Sequence, residues 1–240
     1  MKRLKVNRYI QEPSHCAVSA IATVTNYYNK NVDYNYVKNF ILDNKIAKTT
    51  NEGLETGEIC RTLNKLGFKD VTLVTSYTDV FDYTWEKYSK KKLIRELQIM
   101  RKKVDSQVLD NEEYIKQLLK WYTSCGYFNK IIIDYDFGKY IRRHLNHKKP
   151  VIVDVNWTMF HRFGKSSEKS EIDPYSGTEE EHCMAANGFD NKGVWVVDSH
   201  HEFYKYKRKK FRRGFYKISW ENLMCVISKT GDVILPDNYN

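Results

Sequence analysis

The stretch EHCMAANGFDNKGVWVVDS, residues 181–199, sets two apolar runs of strand length on either side of Asp190, Asn191 and Lys192. Short apolar runs broken by turn-forming residues predict a β-hairpin. Its register is open. A two-residue loop at Asn191 and Lys192 pairs His182 with His201 and sends Asp198 to the opposite face. A five-residue loop over 189–193 pairs His182 with His200 and leaves Asp198 on the face of His182, at a diagonal. Bringing His182 and Asp198 together therefore requires the longer loop or a bulge.

Upstream of the hairpin, PVIVDVNW (150–157) is another run of strand length, preceded by a helical segment, GKYIRRHLNHKK, with Gly138 near its start. Downstream, the last strand signals lie at GFYKI and MCVIS, and Trp220 starts a short helix between them. The first half of the chain reads differently. Ala17, Ala20, Ile21, Val24 and Tyr28 recur at helical spacing from Pro13 to about Asn29, with Ser14 able to cap the first turn. Val37, Phe40, Ile41 and Ile46 suggest a second, shorter helix. A third runs over 54–66, ends at Gly67 and hands over to a strand at 71–74. Trp85, Leu93, Ile94, Leu97 and Met100 mark one charged amphipathic helix, and Tyr114, Ile115, Leu118, Leu119 and Trp121 another. Helices crowd the N-terminal half and antiparallel strands the C-terminal half. That segregation predicts an α+β fold, two packed lobes around a cleft, in one domain over 1–240 with residues 79–128 as a helical insertion or lid.

Composition narrows the class. Hydrophobic residues make up 41% of the 240, and 11 Gly and 4 Pro with no internal repeat exclude a fibrous or disordered chain. No window approaches the roughly 18 apolar residues of a membrane span. The basic opening MKRLKVNRYI lacks the apolar core of a secretory signal. Five cysteines, at 16, 60, 125, 183 and 225, form neither a disulfide framework nor a metal knuckle, and reduced thiols fit a cytoplasmic setting. The formal charge of +10 includes KYKRKKFRR (205–213), basic at seven of nine positions. This patch is either a solvated strand face with Tyr204, Tyr206 and Phe211 packed inward, or a surface for nucleic acid or an acidic partner.

Cys16 opens the first helix. Most free cysteines are buried and inert, but a helix N-terminus stabilises a thiolate through its free N–H groups and partial positive charge. A nearby imidazole lowers the thiol further and delivers a proton to a leaving group. Among seven histidines, His182 is the best placed, because it opens an apolar strand that holds the ring rigidly. Asp198, ending the partner strand, can fix its tautomer. For an oxyanion, the Cys16 N–H gives one donor and Gln11, five residues earlier, can give a side-chain N–H. His15 is expected to be exposed, since adjacent helix residues face different ways. Zinc bound by His182, Cys183, His200 and His201 is the weaker idea, since adjacent strand residues point apart.

Together, Gln11, Cys16 before a helix ending in NYY, GLETGEICRTLNKLGF, KKPVIVDVNW and EHCMAANGFDNKGVWVVDS resemble the papain-fold cysteine peptidases of the bacteriocin-processing type and their C39-like relatives. Those proteins typically show a Gln before the Cys, a GkPvi strand, and GHxvvvxGyd followed by a strand ending in Asp and Pro. The resemblance implies a papain-like fold, with the nucleophile helix of an N-terminal helical lobe packed against a C-terminal antiparallel sheet. It implies Gln11 as oxyanion donor, Cys16 as nucleophile, His182 as base and Asp198 as its orienter. The departures are Ala17 and Val18 for the usual Gly-Pro, Glu181 for Gly before the His, and Ser199 for Pro after the Asp.

The implied activity is that of a peptidase or amidase on a peptide or protein amide, through a thioester acyl-enzyme and without metal or organic cofactor. Resolution by an amine instead of water makes the same site an acyltransferase. A catalytically silent binding module that uses the basic face is the alternative from another class.

Overall fold

The computed structural model describes residues 3–103, 109–124, 126–161, 165, 173–200 and 214–240. Cys125, His201 and the basic stretch 205–213 lie outside the described residues.

Strands β1 (Phe68–Thr75), β2 (Lys130–Ile133), β3 (Val151–Asn156), β4 (Glu181–Asp190), β5 (Gly193–Val197), β6 (Phe215–Ser219) and β7 (Asp232–Tyr239) form one sheet in the order β2-β1-β7-β3-β4-β5-β6. The β1–β2 pair is parallel and every other pair antiparallel. The helices are α1 (Cys16–Tyr28), α2 (Tyr34–Asp43), α3 (Thr56–Lys65), α4 (Lys90–Lys103), α5 (Leu109–Tyr122), α6 (Phe137–Asn146), α7 (Trp157–His161) and α8 (Trp220–Thr230). The fold is α+β, with α1 packed on the antiparallel part of the sheet. No described helix is long and apolar enough to cross a membrane.

The period-two alternation of the strands separates two cores. Ile152, Cys183, Ala185 and Ile234 face the layer of α1, α3, α4 and α5, where Ile21, Leu63, Leu97, Leu118 and Trp121 are buried. Val151, Val153, Val155, Met184, Ala186 and Val233 face the layer of α6 and α8, with Ile141, Leu145, Leu223 and Ile227. Because both faces are covered, β3 is buried at every position, which is why it reads as a continuous apolar run.

Several expectations need correction. Helix α1 is covered all round from Ala17 to Asn26, so it is a central helix and its amphipathic pattern is incomplete. Ser14 does not cap it: Ser14 sits at φ 61°, and His15 occupies the N-cap position without a side-chain cap. The segment MCVIS is part of α8 and not a strand, because Trp220, Leu223, Val226 and Ile227 recur at helical spacing and face the second core. Trp85 belongs to a separate 3₁₀ turn, Tyr83–Trp85, ahead of α4. Strands β2 and β7 were not anticipated.

Helices α4 and α5 bury Leu93, Leu97, Ile115 and Leu118 in the core shared with α1 and α3. The approach is close: a Cβ on Gly57 of α3 would lie 2.2 Å from the Gln117 carbonyl carbon.

Candidate active site

The β4–β5 turn is the two-residue loop, since Asp190 pairs with Gly193. Alone, that loop would send Asp198 away from His182. A bulge between Ala186 and Gly188 shifts the register so that Ala185 pairs with Val197. Asp198, the next residue, then falls across from Met184, two places from His182 and on its face. The N-terminal segment braces this bulge: Leu4 N–H donates to Asn187 O at 2.7 Å, and Asn187 Nδ2 donates to Leu4 O at 2.9 Å.

His182 Nε2 meets Asp198 Oδ1 at 3.0 Å. The same Oδ1 accepts the His200 N–H at 2.8 Å, and Oδ2 accepts the Tyr216 hydroxyl at 2.8 Å. Burial pushes the Asp198 carboxyl up, but these donors, His182 first, hold it below the ordinary range. The Trp157 ring lies 4.1 Å from that of His182 between centroids, tilted by 49°. Trp157 is itself fixed by its N–H donating to Glu180 O at 2.7 Å.

With Nε2 on Asp198, Nδ1 is the ring nitrogen left to face Cys16, whose thiol lies close enough to favour the charged ring. Burial disfavours the imidazolium, yet Asp198 and Cys16 together push His182 up to about 10. Cys16 is half-buried. Its thiol is held well below the usual range, first by the neighbouring Cys183 thiol, then, against burial, by His182. The uncapped start of α1 adds its free N–H groups there.

Gln11 arrives on the same N-terminal segment. Arg8 Nε donates to Asp198 O at 2.6 Å, Gln11 N–H donates to Ser199 O at 3.2 Å, and Ser199 Oγ donates to Gln11 Oε1 at 2.6 Å. With Oε1 so engaged, the amide NH₂ is the end left to donate elsewhere.

Cys16, His182 and Asp198 are thus brought together, His182 hydrogen-bonded to Asp198 with the Cys16 thiol near enough to shift its titration, and Gln11 is tied to the residue after Asp198. His15 is not exposed as expected. It is 2% accessible, with Nδ1 at 2.6 Å from the Tyr34 hydroxyl and Nε2 at 3.4 Å from Asn51 Oδ1, because the N-cap position turns it off the helix and under Tyr34.

Two more residues meet the site: Asp154, which sequence reasoning missed, and Cys183, which it weighed only as a zinc ligand. Cys183 donates to Asp154 Oδ1 at 3.6 Å and lies in the core layer of Cys16. Cys183 and Asp154 are direct partners in the β3–β4 pairing, on the face toward α1. The Cys183 thiol is pushed well up by Cys16, by burial and by Asp154; burial and the charges of Glu181, Asp232 and Cys16 push the Asp154 carboxyl up as well. Adjacent strand residues do point apart, but both His182 and Cys183 reach Cys16, which stands at the start of α1 beside the start of β4. Among the described residues no group of three or more His, Cys, Asp and Glu is arranged to hold a metal ion.

No curated protein matches the chain. Among solved structures it is similar to the peptidase domain of Streptococcus ComA, a bi-functional ABC transporter involved in quorum sensing, at 14% identity over 98% of this chain and 99% of that one, TM-score 0.42. It is similar to a C39-like peptidase from Bacillus anthracis, at 12% identity over 100% of each chain, TM-score 0.43. It is also similar to xylellain, a cysteine protease from Xylella fastidiosa, at 11% identity over 98% of this chain and 85% of that one, TM-score 0.47. The sequence profile of the Peptidase_C39 like family matches residues 73–228, which include His182 and Asp198; Gln11 and Cys16 precede the matched stretch. On that match, which takes in well over half of its residues, the chain belongs to the Peptidase_C39 like family and is a cysteine peptidase-like enzyme.

Proposed function

We propose that the protein cleaves amide bonds of peptides with Cys16 as nucleophile, His182 as base and acid, Asp198 as its orienter, and Gln11 with the Cys16 N–H as oxyanion donors. The observation that carries this reading is the His182 ring anchored on Asp198 at 3.0 Å, with the Cys16 thiol at the start of α1 near enough to favour the charged ring. The thiolate attacks the substrate carbonyl carbon, and the oxyanion forms against the two N–H donors. The His182 imidazolium then protonates the departing amine, leaving a thioester. Water, deprotonated by His182, attacks the thioester and releases the acid. An amine in place of water gives acyl transfer, and nothing in the geometry favours it.

A cytoplasmic, reducing setting suits a site whose nucleophile must stay a free thiol. Recognition of an acidic or nucleic-acid partner through 205–213 depends on residues outside those described.

Incubation with a mixture of unstructured peptides, read by mass spectrometry, tests the assignment. Cleavage at internal amide bonds that disappears in Cys16→Ala and in His182→Ala is the expected result. Cleavage that survives Cys16→Ala overturns it.

A further inference from the structure

We propose that Cys16 and Cys183 form a reversible disulfide, so that the peptidase nucleophile carries its own oxidation guard. Two thiols meet here: Cys16 and Cys183 lie in one core layer where α1 packs on β4, Cys183 with its thiol 3.6 Å from Asp154 Oδ1. Cys16 stands at the N-terminal end of α1, the helix that packs directly on β4, the strand that carries Cys183. The two ends differ in freedom. Cys183 is pinned in the sheet opposite Asp154, whereas Cys16 is the first residue of its helix, two places after the positive φ of Ser14.

Their exposures differ as well. Cys183 is only 5% accessible, so a peroxide from solvent reaches the half-buried Cys16 first. The Cys16 thiolate attacks one peroxide oxygen and the O–O bond breaks. Sulfur loses two electrons to become a sulfenic acid, and the departing hydroxide takes a proton from the His182 imidazolium to become water. The Cys183 sulfur then attacks the sulfenic sulfur. The S–S bond forms as the S–O bond breaks, and the hydroxyl leaves with the Cys183 proton as a second water. A thiol reductant reverses the product by exchange. Without Cys183, the sulfenic acid stays open to a further peroxide and goes on to the sulfinic acid, which thiols do not reduce.

The inference rests on Cys16 being a reactive thiolate, as the proposed mechanism requires, but needs no peptide cleavage. The test is a non-reducing tryptic map of the full chain after brief treatment with hydrogen peroxide at neutral pH. Trypsin places Cys16 in the peptide 9–30 and Cys183 in the peptide 170–192. The expected product is the linked pair of these peptides, lighter than their sum by the hydrogens lost. It should disappear on reduction, with iodoacetamide labelling of Cys16 restored. In Cys183→Ala the same treatment should give Cys16 sulfinic acid, and reductant should restore no labelling. Wild-type Cys16 carried to sulfinic acid with no linked pair overturns the disulfide and leaves the nucleophile in place. A Cys16 that resists both peroxide and iodoacetamide overturns both readings. Cys225, exposed on α8, and Cys60, buried in α3, are followed separately on the map, and the wild-type result decides the matter should the variant not fold.

Discussion

At the scale of single residues, the site turns on how few atoms fix each polar group. Asp198 is 1% accessible and remains a carboxylate because His182, the His200 N–H and the Tyr216 hydroxyl all donate to it. Ser199, which departs from the Pro usual in the resembling peptidases, acts through its hydroxyl, which holds Gln11 Oε1 at 2.6 Å. Ser199→Ala removes that one bond, worth about 1 kcal/mol, and should lower kcat about fivefold on a peptide substrate with little change in Tm. A kcat equal to the wild type would show that Gln11 needs no such anchor. Gln11, Cys16, His182 and Asp198 could be singled out in the sequence because each stands at the edge of a readable element, where a side chain is held yet reachable. Cys183 and Asp154 were illegible for the complementary reason. They look like ordinary members of buried strands, and only the pairing of β3 with β4 and the seating of α1 bring them to the Cys16 sulfur.

At the scale of elements, the decisive feature is the bulge at Asn187. The hairpin was readable but its loop length was not: the two-residue loop alone sends Asp198 away from His182, and the longer loop or a bulge brings it back. The structure has the two-residue loop and the bulge, which adds one residue to β4. The neighbouring strand is just as tightly specified: a Cβ on Gly193 would lie 2.0 Å from the Ile218 carbonyl oxygen. Gly193→Ala should therefore force β5 and β6 apart and destabilise the fold by about 1–3 kcal/mol. Thermal unfolding followed by circular dichroism should show Tm lowered by several degrees, and an unchanged Tm would mean that β6 is not held as described. Elements missed in the sequence were missed for physical reasons. Strand β7 contains Pro236, which argues against a strand inside a sheet, but Pro236 lies beyond the last β3–β7 pair, Ile152 with Ile234. Strand β2 is four residues long, too short for its alternation to register. MCVIS is a short apolar run whose helical period appears only when Trp220 and Leu223 are counted with it.

At the scale of the whole molecule, one seven-stranded sheet with a core on each face sets the α1 N-terminus against the start of β4. The rough division into early helices and late strands was legible, because period and length differ between them. That β1 and β2 join the sheet was not, since strand partners are chosen by long-range packing. The proposed site implies an ion pair. His182 titrates near 10, above its ordinary 6.5, so the imidazolium and its pairing are complete below about 6.5 and are lost as pH rises through about 10. Cys16 titrates well below the ordinary thiol range, so the thiolate is retained until the pH falls past that lowered value. Between these limits both charges coexist. The most direct test is the rate of Cys16 alkylation by iodoacetamide across pH, read on the peptide 9–30, in wild type and His182→Ala. The expected result is a wild-type rate that stays high well below the free-thiol midpoint of about 8.5, with the profile of the variant displaced upward by a unit or more. A wild-type profile centred near that free-thiol midpoint, or one unmoved by loss of the imidazole, would contradict the thiolate–imidazolium pair.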